Sequence, residues 1–480
     1  MSMAKRFGWV AGFGAVLLLV LSGWWWWRGI AEENGVIAAS IPEQPDLAAW
    51  PSLFVKRLST SEERARSGPD RLRGLAELSR LYHANGFYEE AVACYTGLLR
   101  VDPGNAVWPH RLAFLLAESG RLEEALALWR MTVAIAPDFP PARIRLGDAL
   151  LKMNRWAEAA EVYQAALDRD ETQAHAQLGL ARVDFEHGDW EAARIRLEEA
   201  GRLSGQRIGR DLLPTVLEAL GDEDEAAAIR GEAKAFGAYS DIRDPWLEEL
   251  FEDCYDTYRL AVAAGDAGHA GDNPMAIHRL ERALRLDPEN YQLQYQLGML
   301  YVAMGDLNRA RGLFESCTVI APEFPDGWAQ LEVLQRKAGQ NAAADLTLTR
   351  GLQHCPDSPG LHLANGRRLV ELGRKDEAIG ELQESIRLRP QEANAYFDLA
   401  RIHFEREEVE AGMELIRAAL VAEPDFPVGL VLMVNYSINN GDEAAARDWL
   451  ARARHQSRIT PEELEGMRSA YATRFGRQPW

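Results

Sequence analysis

The side chains that could perform chemistry are few and scattered along this chain of 480 residues. Its four cysteines, Cys94, Cys254, Cys317 and Cys355, include no Cys-x-x-Cys pair, which argues against a zinc knuckle or a thioredoxin-like redox pair. The ten histidines lie far apart, and neither a His-Glu-x-x-His nor a Gly-x-Ser-x-Gly motif occurs. We therefore expect no catalytic residue, no bound metal, no cofactor and no enzyme activity in this chain.

A glycine-rich stretch at residues 265–272 and several carboxylate pairs are the remaining features that could act on a ligand. The stretch lacks the Gly-Lys-Ser/Thr ending and the preceding strand of a phosphate-binding loop. It is interpreted as a flexible turn inside a lengthened helix pair that runs from Pro245 to Pro288. Pairs such as Glu89 and Glu90 stand where helices are expected to begin, a position that favours acidic side chains. Neither feature indicates an active site.

The elements that must position these side chains are set by a repeat of 34 residues. Proline recurs at this interval in two blocks: Pro103 and Pro137, then Pro288, Pro322, Pro356, Pro390 and Pro424. From Pro137 to Pro288 the distance is 151 residues, which is four periods and 15 residues more. The phase of the repeat therefore slips in the region that joins the two blocks.

Each repeat has small and large residues at fixed positions. In the unit that begins at Tyr291, Gly298 and Ala310 lie in two successive helices, Phe314 follows in the second, and Pro322 closes the unit. Comparable units begin near Leu72, Ala106, Pro140, Ala174, Pro325, Pro359, Ala393 and Pro427. The pattern resembles the tetratricopeptide repeat (TPR), a helix-turn-helix unit of this length. The resemblance implies an all-α fold, a right-handed TPR α-solenoid in which each unit buries its apolar face against its neighbours.

The N-terminus departs from this pattern. Residues 7–27 contain no charge, and about 20 apolar residues suffice to span a bilayer as a helix, so a single transmembrane helix is predicted here. The stretch ends in four tryptophans: Trp24, Trp25, Trp26 and Trp27. Indole rings prefer the depth at which a span meets water. A cleaved signal peptide is the competing interpretation, but these bulky residues stand where a small-residue cleavage site would be.

Charges beside the predicted span set its orientation. Lys5 and Arg6 precede it, while only Arg28 follows closely, so the positive-inside rule places the N-terminus in the cytoplasm. The large domain is then expected on the periplasmic (extracytoplasmic) side of a bacterial-type cytoplasmic (inner) membrane. Gly8 and Gly12 form a Gly-x-x-x-Gly pattern suited to packing against a partner membrane helix. A net charge of −20 argues against nucleic acid as a ligand.

These features together predict the organisation of the chain. The segments are a cytoplasmic N-terminus (1–6), the transmembrane helix (7–27), a linker with an amphipathic capping helix (28–66), TPR block 1 (67–206), a degenerate, irregular TPR region (207–287), TPR block 2 (288–458), and a C-terminal capping helix with its tail (459–480). Capping helices are expected because the end units of a solenoid need a polar outer face.

In the TPR family the first helix of each unit lines a concave groove that binds extended peptides or helices of partner proteins. The corresponding groove positions are Arg80, Phe114, Asp148 and Arg182 in block 1, and Met299, Val333, Arg367 and Arg401 in block 2. They depart from the paired lysines and asparagines with which some members bind a C-terminal carboxylate. The predicted protein-binding groove of block 2 has apolar and cationic residues: Tyr295, Met299, Val302, Phe397, Arg336, Arg367 and Arg401. Arginine pairs well with carboxylates, although scattered surface arginines are the alternative interpretation.

The resemblance implies a membrane-anchored scaffold or adaptor that mediates protein–protein interactions in the assembly of a membrane or envelope complex. Its expected partners are proteins and, through one helix, the lipid bilayer. Two other functions stay open. One is a permanent structural subunit that packs through its transmembrane helix, and the other is a regulatory arm of a separately encoded enzyme of polysaccharide export or glycosyl transfer.

Overall fold

A computed structural model describes residues 28–205, 208–233, 241–454, 456 and 458–480. The regular structure of this part is helical throughout, as the repeat pattern predicts. The predicted membrane span 7–27, with both of its glycines and all four tryptophans, lies outside the described residues. Within them, every helix is too short or too polar to cross a bilayer. The chain forms two compact units, unit 1 (Met1–Leu286) and unit 2 (Asp287–Trp480).

Unit 1 opens with helical residues 28–39, named α1. The helices that follow are α2 (Ser52–Ser67), α3 (Arg71–Ala84), α4 (Tyr88–Val101), α5 (Val107–Glu118), α6 (Leu122–Ile135), α7 (Pro140–Lys152), α8 (Trp156–Leu167), α9 (Ala174–His187), α10 (Trp190–Leu203), α11 (Leu213–Leu220), α12 (Glu223–Ala233), α13 (Pro245–Glu248), the 3₁₀ helix η1 (Glu249–Asp253), α14 (Thr257–His269) and α15 (Asn273–Leu286). Each helix from α2 to α12 packs on the next, as the units of a helical repeat do.

Unit 2 continues the same succession of helix pairs. Its helices are α16 (Tyr291–Ala303), α17 (Leu307–Ile320), α18 (Pro325–Lys337), α19 (Asn341–His354), α20 (Pro359–Glu371), α21 (Lys375–Leu388), α22 (Ala393–Glu405), α23 (Val409–Ala422), α24 (Pro427–Asn439), α25 (Glu443–Arg454) and α26 (Pro461–Phe475). The last helix packs on α24 and α25 and buries Met467 and Tyr471. Its first turn is fixed by reciprocal hydrogen bonds between Thr460 and Glu463, a capping box.

The turn within a unit depends on a glycine and a helix cap. Between α16 and α17, Gly305 has φ +79°, a conformation that is costly for a residue with a Cβ atom. Asp306 follows and accepts a hydrogen bond of 3.1 Å from the backbone N–H of Arg309. The chain thus reverses in a few residues, and α17 can pack on α16.

Close packing of the two helices explains the small residues of the repeat. A Cβ atom added to Gly298 of α16 would lie 2.6 Å from the ring of Phe314 on α17. A Cβ atom at Gly366 of α20 would lie 2.7 Å from the side chain of Leu382 on α21. Both distances are far below van der Waals contact, so a larger side chain at either position would force the helices apart.

The region that joins the repeat blocks differs from the expectation. In place of a lengthened helix pair from Pro245 onwards, α13 and η1 form a separate short segment, and α14 with α15 forms a pair of ordinary length. Two carboxylates explain the restarts, because Asp244 caps α13 and Asp256 caps α14. The turn expected at 265–272 is shorter than predicted, since α14 continues to residue 269 and the chain turns at 270–272, where Gly271 has φ +76°. Packing on α15 outweighs the cost of about 1 kcal/mol for each glycine in a helix.

Residues 241–255, which we call the crossing segment, leave the succession of stacked helices. The segment contains α13 and η1 and lies over the first helices α3, α5 and α7 of unit 1. After it, Arg259 of α14 donates to the backbone carbonyl of Ala84 at the end of α3. The chain therefore crosses the face that the first helices of unit 1 form and returns to its first repeat.

Candidate functional site

Four equivalent positions of unit 2, each 34 residues after the last, form what we call the exposed row. They are Met299 on α16, Val333 on α18, Arg367 on α20 and Arg401 on α22. Met299 and Val333 are 37% and 39% exposed, and the side chains of Arg367 and Arg401 are 48% and 45% exposed. Large apolar side chains are ordinarily withdrawn from water, so a row with two apolar and two cationic members offers a surface of mixed chemistry for contact.

The aromatic members of the predicted groove lie half-buried at the base of this face. The ring of Tyr295 contacts Phe314 and Phe324, with centroid distances of 5.8 and 5.2 Å. Phe397 meets Phe426 edge-to-face at 6.0 Å. Val302, one turn beyond Met299, is half-buried. Each of these side chains still shows part of its surface to solvent, and their role in binding stays a prediction.

The three predicted arginines have acidic partners inside unit 2. Arg336 pairs with Glu332 and lies 3.3 Å from a carboxylate oxygen of Asp345. Hydrogen bonds, first from Arg368 and then from Arg336, lower the pKa of Asp345 below its ordinary value. These contacts show that Arg336 is occupied in bridging α18 to the following helix.

Arg367 and Arg401 share one carboxylate. Arg367 donates to the buried side chain of Asp398, whereas Arg401 stands 3.8 Å from it. A buried carboxylate needs at least one charged partner, and Arg367 supplies it. Arg401 is therefore the member of the exposed row whose guanidinium is best placed to bind an external acid.

The four equivalent positions of unit 1 differ from the exposed row, because contacts within the chain involve all of them. Arg80 donates to Asp253 of the crossing segment at 2.8 Å, and Phe114 lies under the guanidinium of Arg145. Asp148 accepts a hydrogen bond of 2.6 Å from the hydroxyl of Tyr163, and burial raises the pKa of this carboxyl above its ordinary value. Arg182 lies 3.9 Å from Asp148. Contacts within the chain thus involve all four positions.

Sequence reasoning missed several polar residues that contact the crossing segment. They are Arg57 on α2, Asn85 after α3, His110 and Arg111 on α5, and Arg145 on α7. Nearby His83 is also buried, and this burial, with the charge of Arg111, lowers its pKa well below the ordinary value. His83 is consequently neutral at physiological pH. Within the described parts of the chain, no three His, Cys, Asp or Glu side chains are grouped so that they could hold a metal ion.

Models of the tetratricopeptide repeat match this chain in both units. One matches residues 77–140 and 363–427, and a second matches residues 150–206 and 269–331. Together these ranges are just over half of the chain.

Two proteins of related sequence are matched over part of their length. DnaJ homolog subfamily C member 3 of Rattus norvegicus is 22% identical over 365 residues, which are 72% of this chain and 64% of that protein. Protein O-mannosyl-transferase TMTC3 of Homo sapiens is 26% identical over 282 residues, 46% of this chain and 31% of that protein. The chain spans less than two thirds of the length of both relatives. The crystal structure of yeast Tom70 aligns with 84% of this chain and 95% of that chain, at 14% identity and a TM-score of 0.39. With the repeat models matched in both units and helix pairs of the corresponding lengths, the chain belongs to the tetratricopeptide repeat family.

Proposed function

We propose that this protein is a scaffold that binds a partner protein along the exposed row of unit 2. Tetratricopeptide repeats suggest a role in protein–protein interaction, and the row supplies the chemistry for it. The observation that supports this proposal is the exposure of four side chains on successive first helices. More than a third of each is exposed: Met299, Val333, Arg367 and Arg401.

The order of side chains along the row indicates how apolar and acidic side chains are arranged in a matching ligand. Two apolar residues precede two arginines, so the matching partner segment presents apolar side chains at one end and carboxylates at the other. Arginine forms charge-assisted hydrogen bonds to carboxylates that are worth about 1.5–3 kcal/mol each. The apolar pair adds burial of surface at about 25 cal/mol per Å².

Site-specific photo-crosslinking in the native membrane tests this surface. A photoreactive amino acid at Val333 is expected to give one adduct of discrete mass, and Arg401→Glu in the same protein is expected to lower its yield more than tenfold. The melting temperature should fall only slightly, because Asp398 keeps its pairing with Arg367 although the new carboxylate at position 401 stands near it. Adduct yield is read by gel shift, and the adduct is identified by mass spectrometry.

Two positions on second helices provide matched controls. Val319 of α17 is 80% exposed, yet a crosslinker there should give no adduct. Arg350→Glu on α19 changes the same charge as Arg401→Glu and should leave the adduct at Val333 intact. Equal adducts from Val319 and Val333, or equal loss with both charge reversals, would contradict binding along the row.

We further propose that residues 7–27 anchor the scaffold in a cytoplasmic (inner) membrane, with the repeats on the periplasmic side, so that partners assemble there into a membrane or envelope complex. The uncharged stretch and the preceding Lys5 and Arg6 support this proposal. The full chain should stay in the membrane pellet after carbonate extraction, and a chain lacking residues 1–27 should move to the supernatant. A reporter fused after Trp480 should be active only outside the cytoplasm; activity inside it would reverse the orientation.

A further inference from the structure

The crossing segment has the composition of a ligand rather than of a helical repeat. Its 15 residues, 241–255, include six carboxylates, one arginine and one tryptophan. It lies on a face of unit 1 where arginines from three first helices and from α2 point toward it. Opposite charges across a contact favour one partner and one register over others.

An aromatic contact anchors the start of the segment. The indole of Trp246 stacks on Phe139, with ring centroids 3.6 Å apart and planes inclined by 15°. His110 meets the same indole edge-on, and its Nε2 atom lies 2.7 Å from a carboxylate oxygen of Asp244. His110 and Asp244 are both buried, so this pair excludes water from the contact. A half-buried aromatic stack beside a buried hydrogen-bonded pair is a composition found at binding hot spots.

Arginine contacts continue along the segment. Arg111 donates two hydrogen bonds, of 2.9 and 2.6 Å, to the backbone carbonyl of Trp246, and a third of 2.8 Å to Glu249. Arg145 pairs with Asp241 at 2.8 Å. Each of these guanidinium groups therefore binds an acceptor from the segment.

The end of the segment is held through its main chain as well as its charge. Asp253 is buried between Arg57 and Arg80, at 2.5 and 2.8 Å. The side chain of Asn85 donates to the carbonyl of Asp253 at 2.9 Å and accepts from the N–H of Tyr255 at 2.6 Å. A carboxamide that satisfies one acceptor and one donor of a backbone binds the main chain whatever its side chains are.

We infer that the first-helix face of unit 1 is a binding site for an acidic, tryptophan-containing segment of a partner protein that forms short helical turns, and that the crossing segment occupies this site in cis. Displacement of the crossing segment opens the site. The partner segment then makes the same contacts: an indole on Phe139, a carboxylate between Arg57 and Arg80, and a backbone on Asn85.

Two features, one of the crossing segment and one of the face, favour exchange of this segment for a partner segment. The regular structure of the segment is short, with four residues in α13 and five in η1, so few helical hydrogen bonds must break when the segment leaves. A cavity of about 590 Å³ continues from Asp241 along α7 and α9. It is lined in part by Phe114, Trp129, Arg145, Trp156 and Phe185. A partner segment longer than the crossing segment gains contacts there that the cis occupant lacks.

A labelled synthetic peptide with the sequence of residues 241–255, kept reduced, tests the inference on the full chain. A ligand tethered in cis has a high effective concentration, so the wild-type protein should bind the peptide weakly. The variant Trp246→Ala/Asp253→Ala weakens only the tethered copy and should bind at least tenfold more tightly, measured by fluorescence anisotropy. Addition of Arg80→Ala, which alters the face itself, should reverse this gain.

The peptide itself provides the matched control. A peptide with the same two changes, Trp246→Ala and Asp253→Ala, should not bind the variant protein. The single variant Trp246→Ala, with circular dichroism as the check on folding, gives the same comparison if the double variant does not fold. Equal binding of both peptides, or no gain in either variant, would overturn the inference. A wild-type dimer that the peptide dissociates would assign the site to a second copy of this chain and overturn the partner assignment.

Discussion

A Tyr163→Ala variant is expected to lower the free energy of unfolding of unit 1 by about 4 kcal/mol, the cost of truncating a fully buried aromatic side chain. The ring of Tyr163 on α8 fills the space between α7 and α9, and its hydroxyl donates to Asp148 at 2.6 Å. The variant loses the packing of the ring and also leaves the carboxylate without this donor. Urea unfolding, with hydrogen exchange of α7 to α9 as the local readout, measures the change.

Two glycines make this prediction specific to the position. A Cβ atom added to Gly147 or Gly179 would lie 2.5 or 2.3 Å from the Tyr163 ring. Gly179→Ala alone should therefore destabilise unit 1 by about 1–3 kcal/mol, but it should be nearly neutral or stabilising in the Tyr163→Ala background. Tyr258→Ala on α14, where the side chain is 75% exposed, is the matched control and should leave the unfolding curve unchanged. Similar curves for Tyr163→Ala and Tyr258→Ala, or additive effects in the double variant, would contradict this account.

The fold of these units was predictable because it depends on local patterns. The 34-residue interval of prolines fixes the length of a helix pair, and residues such as Gly298 and Phe314 mark where the two helices touch. Both are properties of neighbouring residues, so a sequence reports them directly. The same logic made the turn at 265–272 too long, because Gly265 and Gly268 are tolerated in α14 by packing on α15, whereas Gly271 does lie in the turn.

The sequence indicated the length of the crossing segment but not its place in the fold. The repeat slips by 15 residues between Pro137 and Pro288, and the segment at 241–255 has this length. Counted in periods of 34 from Ala174, the next units begin at residues 208 and 242, and a delay of 15 residues then brings the chain to Thr257, where α14 begins. The slip is therefore an insertion, but the position of the inserted residues on α3 and α5 depends on contacts more than 130 residues distant in sequence.

For the exposed row too, the sequence predicted the features that depend on spacing but not those that depend on contacts between helices. The spacing predicted that Arg367 and Arg401 would occupy equivalent positions of successive units. It could not predict that Asp398, on the first helix of the next unit after that of Arg367, is buried and shared between the two arginines. Because Arg367 stabilises that carboxylate, only Arg401 can be replaced without disturbing the fold. Equivalent places in a repeat therefore do not have equivalent energetic roles.

Arg111→Ala is expected to destabilise unit 1 by about 3 kcal/mol, because the variant loses the packing of a buried side chain and three hydrogen bonds from a charged donor. The side chain of Arg111 is 1% exposed and is the only link described here that holds both the backbone of Trp246 and the carboxylate of Glu249. Glu249 is 56% exposed, so water can solvate it after the loss, which keeps the cost from rising further. Relative to the wild type, the variant should raise the hydrogen-exchange rate of residues 246–255 more than that of α7 to α9.

A second substitution at Arg111 separates the effect of the lost hydrogen bonds from that of the lost side-chain volume. Arg111→Met keeps an unbranched side chain of similar length but no donor, so it should release the crossing segment while restoring part of the stability that Arg111→Ala loses. Arg121→Ala removes an exposed arginine that pairs with Glu124 three residues away, and such pairs contribute little, so this control should unfold as the wild type does. If Arg111→Met protected residues 246–255 as fully as the wild type, side-chain volume rather than hydrogen bonding would hold the segment. Recognition of acidic ligands by the first-helix face would then depend on Arg57, Arg80 and Arg145 rather than on Arg111.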